Sequence, residues 1–321
     1  MNLNYANNAT TLVRQLDRLD IRAPVGGIVY GLQVFGSRAV IRPADPLLFI
    51  VPQDRPLVIA TQVAPTDIDV LTVGQEVSVR FLDRPLAHRA LHDATMAENS
   101  LEAVKAAVDA GYGIEIDIQP SKDGVPMVFH DYDLARLTGV AGPIAQATSL
   151  GLSCIPLSGG GTIPTLAQVL EVVAGQVPLL IEIKDQDGAL GPQVGPLENA
   201  VCNALKGYEG DVALMSFNAN SVAACRDFAP NIPRGITTCS YPAEDWPLIP
   251  KATRYAQARI PDFDRVGACF ISHQQDDLAS PHVIKLQDRG VPILCWTVRS
   301  PETEVRARKI ADNITFEGYR P

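Results

Sequence analysis

From Pro85 to Pro321 the sequence predicts a (β/α)8 barrel, preceded by a β-rich N-terminal extension. Three observations predict it. Eight short apolar segments that read as strands alternate with helix-like segments over roughly 240 residues, the size and rhythm of that barrel. Polar and charged residues fall late in those strands, at the end where a parallel barrel carries its chemistry. The stretch Gly113–Asp131, GIEIDIQPSKDGVPMVFHD, reads as a strand, a turn and a return strand. That link is too short for a parallel crossover, so the return is antiparallel.

In chain order, ATTLVRQLDRLD at residues 9–20 has the pattern of the end of a charged amphipathic helix. From Ile21 short β-like runs follow, split by Gly and Pro, with no His or Cys among them. The composition changes at Leu82–Pro85, which divides the chain into residues 1–81 and 82–321. The strand candidates beyond are PLAHRA, GIEIDI, PLLIEIK, VALMSFN, RGITT, ACFISH, PILCWTV and NITFEGY, with helical segments between them such as ENSLEAVKAAVDAG and TLAQVLEVVAG. A doubly wound open sheet is the competing fold. No GxGxxG follows the first strand, and GGG at 159–161 precedes Pro164 as a loop.

Composition sets bounds. An apolar content of 46% and a charged content of 20% are those of a globular protein. The net charge of −9 argues against nucleic acid or an anionic membrane as the main partner. No apolar run reaches the ~20 residues of a membrane-spanning helix. The first residues, MNLNYANNATTLV, lack the basic start and apolar stretch of a secretory signal. The six cysteines are scattered without a CxxC pair, which reads as reduced thiols in a cytoplasmic protein.

The chemistry concentrates in the hairpin and the strand ends. Residues two apart share a strand face, so Glu115 and Asp117 point together, and the return brings His130 to their level. PLLIEIK adds Glu182 and Lys184 on one face, and the first strand ends in His88-Arg89. Charges inside a buried strand are costly unless paired or metal-bound. Three carboxylates at one barrel mouth call for a cation, and all-oxygen ligation suits Mg²⁺ or Ca²⁺. Arg89 and Lys184 supply positive charge for an anionic substrate such as a phosphate. The two histidines suit general acid–base work. Plainer readings stand beside these. The alternation alone fits an edge hairpin with a solvated acidic face, Glu182/Lys184 fits a structural ion pair, and Trp296 fits plain core. His92 and His282 read as loop and helix-start residues, and His273 stays undecided.

Two resemblances follow from these residues. IRAPVGGIVYGLQVF, AVIRPADPLLFIVPQDRPLVIA and VAPTDIDVLTVGQEVSVRF, within residues 9–81, resemble the periplasmic adaptor (membrane-fusion, HlyD-like) family of type I secretion systems. Only part of that family's half lipoyl-like and barrel domains corresponds, without its anchor or most of its coiled coil. We expect this segment to be an incomplete, marginally ordered fusion or assembly remnant without adaptor function. AHRALHD, AENSLEAVKAAVDAGYGIEIDIQPSKDGVPMVFHD, IPTLAQVLEVV, LLIEIK, MSFN and CWTV, in that order over residues 84–321, resemble the glycerophosphodiester phosphodiesterase family.

That second resemblance implies a TIM barrel, a divalent cation, and hydrolysis of glycerophosphodiesters to glycerol 3-phosphate and an alcohol. By the same resemblance, His88 and His130 are the acid–base pair and Glu115, Asp117 and Glu182 the metal ligands. Arg89 and Lys184 contact phosphate, and Trp296 is the aromatic residue of the late WTV strand. Glu98 and Asn99 match the family's EN motif, read as a supporting shell and the start of the first helix. Where the family has ITD in its last strand, this chain has Ile314-Thr315-Phe316-Glu317, which leaves the role of that acid open. The stretch LTGVAGPIAQATSLGLSCIPLSGGG stands in for the family's insertion. The expected partner is a small-molecule phosphodiester. A cyclic-phosphate-forming phosphodiesterase and a non-catalytic adaptor subunit are the rival readings. Head group, metal identity, the division of acid and base roles and oligomeric state are not legible in the sequence.

Overall fold

The computed structural model describes residues 28–30, 49–51 and 84–321. The chain divides into two compact units, Met1–Val77 and Ser78–Pro321. In the first, β1 (Ile28–Tyr30) pairs antiparallel with β2 (Phe49–Val51), with Ile28 opposite Val51. The remainder of the expected half-sandwich, and the helix expected at 9–20, lie outside the described residues.

The second unit opens with β3 (Leu86–Ala87), α1 (Leu101–Ala110), β4 (Gly113–Pro120) and β5 (Pro126–Val128). An insertion carrying α2 (Ala135–Thr138) and α3 (Ser149–Leu152) follows. The chain then alternates through α4 (Leu166–Val173), β6 (Leu179–Ile183), α5 (Pro196–Ala204), β7 (Val212–Ser216), α6 (Ala219–Phe228) and β8 (Arg234–Thr238). It ends with α7 (Lys251–Gln257), β9 (Phe270–Gln274), α8 (Pro281–Gln287), β10 (Ile293–Val298), α9 (Pro301–Ala307) and β11 (Asn313–Phe316).

The strand order β3-β11-β10-β9-β8-β7-β6-β4 closes through β3–β4 pairing, so eight parallel strands form a barrel. The doubly wound alternative falls, because a closed sheet has no edge. In this sheet only β5 runs antiparallel, paired to β4 with Ile118 opposite Val128, as the short hairpin link requires. Local signals set the element ends. Ser100 Oγ accepts from Ala103 N at the start of α1, and Gly111 takes φ 74° at its end. Glu98 and Asn99 therefore precede the helix rather than start it. Thr165 and Gln168 form a capping box on α4.

Strand alternation sorts the interior into two kinds. Ile114, Ile116 and Ile118 of β4 and Leu179, Ile181 and Ile183 of β6 face the helices in the main core. Inside the barrel, Leu86, Leu180, Met215, Phe270 and Leu294 form a separate apolar cluster. Phe270 needs room there: a Cβ on Gly235 would stand 2.3 Å from its ring. This plug leaves the polar inward residues for the other end of the barrel. A third cluster, Ala97, Met127, Phe129, Leu134, Leu137, Ile144, Leu152, Leu157 and Ile163, gives the insertion a core of its own.

Candidate active site

The cleft at the C-terminal mouth of the barrel is about 190 Å³, room for a small molecule. It is lined by His88, Arg89, Glu115, Asp117, His130, Glu182, Lys184 and Trp296, so every residue singled out in the sequence as a site residue borders it. The β4–β6 register sets Asp117 opposite Glu182, and Glu115 lies two residues back on the same face. Ligand atoms of Glu115, Asp117 and Glu182 lie within 4.8 Å of one another, and all three residues are buried. Phe129 N donates to Asp117 O at 2.9 Å and Gln119 Nε2 to His130 O at 3.2 Å, which seats the returning strand and its histidine beside the carboxylates.

The cluster is tightly charged. Lys184 Nζ lies 2.7 Å from Asp117 Oδ1 and 2.6 Å from Glu182 Oε1. Burial opposes the charge on Lys184, but Asp117 and Glu182 hold its pKa above the ordinary lysine value. Burial would likewise raise the Asp117 carboxyl, yet Lys184 ahead of His130 and Arg89 keeps it well below the usual range. Glu115 goes the other way: burial, then Asp117 and Glu182, push it well up. A buried carboxyl driven toward protonation by two neighbouring anions marks a place where added positive charge would be taken up. The donor set, three carboxylates and no sulfur or nitrogen, fits a hard divalent cation.

Arg89 and Asn99 sit on two turns that meet. Both take left-handed backbone conformations, φ 51° and 58°, and Asn99 N donates to Arg89 O at 2.8 Å. Such strained non-glycine residues persist where surrounding bonds over-determine them. Here Arg89 N donates to Glu115 Oε2 at 2.9 Å, and Asn99 Nδ2 donates to Asp117 Oδ2 at 3.0 Å. Arg89 Nη1 donates to Glu98 Oε1 at 2.9 Å, and its Nε lies 3.6 Å from Asp117 Oδ2. The EN pair is thus the supporting shell the sequence indicated.

Each cleft histidine has a carboxylate behind it. His88 Nδ1 lies 2.9 Å from Glu317 Oε2, and His130 Nδ1 lies 2.7 Å from Asp131 Oδ1. Because an ionised carboxylate only accepts, Nδ1 carries the proton in each, leaving Nε2 for the cleft. Burial lowers the pKa of His88, and the Glu317 hydrogen bond opposes this.

Glu317 was not assigned from sequence. The β11–β3 register pairs Phe316 with Ala87, so the next step of both strands brings Glu317 to His88. Counting by twos from Thr315, which borders the cleft, would have found it. Phe217 and Trp296 form an aromatic wall, ring centroids 5.6 Å apart, and Trp296 Nε1 donates to Ser272 O at 3.1 Å. Trp296 is therefore both packed and exposed to the cleft. His273 does not border the cleft. It is buried between Thr238 Oγ1, 2.5 Å from Nδ1, and Asp277 Oδ2, 3.2 Å from Nε2.

A closed parallel barrel with acid, cation and imidazole groups gathered at one mouth places the chain among (β/α)8-barrel proteins that work at the C-terminal face. Residues 88–312 match the model of the Glycerophosphoryl diester phosphodiesterase family, and the chain belongs to that family. It is 30% identical over 182 residues to a glycerophosphodiester phosphodiesterase of Caldanaerobacter subterraneus subsp. tengcongensis, covering 53% of this chain and 73% of that protein. Its fold is similar to that of an Oleispira antarctica phosphodiesterase solved with the product sn-glycerol-3-phosphate. The TM-score is 0.62 at 23% identity, over 74% of this chain and 93% of that one. The N-terminal region is similar to the type I secretion system membrane fusion protein PrsE of Rhizobium meliloti, 36% identical over 105 residues. Those residues are 33% of this chain, and the chain spans only 22% of the length of that protein. Among the described residues, no helix is long and apolar enough to cross a membrane.

Proposed function

We propose that this protein hydrolyses glycerophosphodiesters to sn-glycerol 3-phosphate and an alcohol, with a divalent cation, Mg²⁺ or Ca²⁺, held by Glu115, Asp117 and Glu182. The carrying observation is the convergence of that buried triad with His88 and His130 in one cleft. When bound, the cation would supply charge neutralisation at a phosphate oxygen. Arg89 and Lys184 orient the phosphate. One histidine accepts a proton at Nε2 from the attacking hydroxyl or water, and the other donates one from Nε2 to the leaving alcohol, each held by its carboxylate. Trp296 and Phe217 shape the apolar side of the cleft.

The same proposal assigns catalysis to residues 82–321 and treats residues 1–81 as an incomplete fragment that resembles the adaptor family. It places the protein in the cytoplasm on the strength of its six free cysteines, four of them buried. The deciding experiment is turnover of glycerophosphocholine with and without chelator, with the phosphorus products resolved. Glycerol 3-phosphate formed only with metal is expected. A cyclic phosphate as final product would favour the rival phosphodiesterase chemistry, and full turnover in excess chelator would sink the metal assignment.

A further inference from the structure

The insertion after the hairpin carries a residue that reaches the carboxylates behind two cleft residues. Arg136, on α2, points one edge of its guanidinium at Asp131, with Nε 2.5 Å from Oδ2 and Nη2 3.0 Å from Oδ1. Its other edge meets Glu98, with Nη1 3.0 Å from Oε2 and Nη2 2.7 Å from Oε1. Asp131 is the carboxylate behind His130. Glu98 is the carboxylate that holds Arg89 at 2.9 Å. A continuous charged chain thus runs His130–Asp131–Arg136–Glu98–Arg89, ending 3.6 Å from Asp117.

The packing fixes both ends of this chain. Ala97, Phe129, Leu134 and Leu137 belong to the insertion's own apolar core. Ala97 precedes Glu98, Phe129 precedes His130, and Leu137 follows Arg136. One small core therefore sets the positions of the three segments that the guanidinium bridges. Both carboxyls behave as held anions. Burial would raise Glu98, but Arg136 and Arg89 keep it below its ordinary value. Burial would raise Asp131 too, and His130 and Arg136 lower it instead.

We propose that Arg136 is a positioning residue, setting the orientations of His130 and Arg89 together through Asp131 and Glu98. The insertion is then a clamp on the proton-transfer and phosphate-holding groups from behind the cleft, whose lining it does not enter. Two bidentate contacts need a planar fork, which arginine has and lysine lacks. The Arg136 side chain is 47% exposed, so its ion pairs add little to stability. A positioning role predicts a large effect on turnover with a small effect on folding.

The inference rests on the hydrolytic reading above, and its test separates the two. In the full-length, metal-supplied protein, Arg136→Met should lower kcat/KM on glycerophosphocholine about 10–100-fold, the usual cost of removing a group that orients a site residue. Arg136→Lys should recover little, and both should leave the thermal transition nearly in place. In a His130→Ala background the Arg136→Met loss should shrink, since part of it acts through the missing ring. An activity-free readout is the imidazole ¹⁵N spectrum. His130 should hold its proton on Nδ1 in the parent and become a mixture of tautomers in Arg136→Met. Unchanged kcat/KM with an unchanged tautomer overturns the proposal. So does a loss of activity that tracks a large fall in the thermal transition in both variants. If the parent protein turns over no glycerophosphodiester, the functional reading falls, and the tautomer signal still decides whether Arg136 positions His130.

Discussion

His88 and Glu317 meet across the seam where the last strand of the barrel closes on the first, Nδ1 to Oε2 at 2.9 Å. Arg299 Nη2 donates to the same oxygen at 3.0 Å, so the carboxylate is itself held. The pair joins residues 229 apart in sequence, and its geometry exists only because the barrel closes.

Glu317→Gln should therefore lower kcat about 10–100-fold with a smaller change in KM. The amide keeps the shape, but it can donate as well as accept and carries no charge, so the ring loses both its fixed tautomer and the anion that stabilises it when protonated. A variant as active as the parent would remove Glu317 from any functional role.

The same pair makes a pH prediction. The His88 hydrogen bond brings the Glu317 carboxyl down to about 2, against an ordinary value near 4.5. A depressed folded pKa contributes stability that is present above the unfolded value and lost as pH falls toward the folded one. His88 adds in the same direction, because its lowered pKa means the unfolded chain takes up that proton first below about 6.5. Urea midpoints of the parent should fall on acidification. The gap between parent and Glu317→Gln should narrow between pH 4.5 and 2, and a gap independent of pH would contradict the pairing.

Cation binding is open to a test without turnover. If Glu115, Asp117 and Glu182 hold Mg²⁺ or Ca²⁺, a ligand concentration 100 times Kd should stabilise the fold by about 2.7 kcal/mol. Glu115→Gln and Glu182→Gln should weaken that stabilisation and turnover together while leaving the protein folded. Equal stabilisation of parent and variants would place the ion elsewhere.

Much of this was legible in the sequence, for a physical reason that also marks its limit. Glu115, Asp117, Glu182 and Lys184 announce themselves because a charge in an otherwise apolar strand needs a partner, and the period of two says which of them share a face. His130 was legible because its hairpin is too short to be anything but antiparallel. Glu317 and Arg136 were not, since neither interrupts an apolar run. Glu317 acquires its role from the register of β11 on β3, and Arg136 from the insertion's packing against Ala97 and Phe129. Helices inside LTGVAGPIAQATSLGLSCIPLSGGG were also unreadable, as α3 spans only four residues among glycines and small polar residues.

Deleting residues 1–80 should leave turnover and the thermal transition of the barrel nearly unchanged. The barrel closes through its own first and last strands, and among the described residues its active-site cleft and main core are built from residues beyond Arg84. A large loss of either property would mean that the N-terminal segment contributes to the catalytic unit.

The division of labour between His88 and His130 is decided by the leaving group. Both rings present Nε2 to the cleft with a carboxylate behind Nδ1, so geometry alone allows either to donate. The environments differ: the His88 side chain is 12% exposed and its pKa is lowered by burial, whereas the His130 side chain is 31% exposed. A ring disposed to stay neutral suits the base, so we predict that His88 is the base and His130 the acid. Each should contribute roughly 10²–10⁴-fold to turnover, the usual range for positioned proton transfer. An alkoxide leaving group needs a proton and a nitrophenolate does not. His130→Ala should therefore lose far less on a nitrophenyl ester of glycerol phosphate than on glycerophosphocholine, while His88→Ala should lose equally on both. Rescue appearing in His88→Ala instead would exchange the two roles. Equal losses on both substrates for both variants would mean that neither histidine protonates the leaving group.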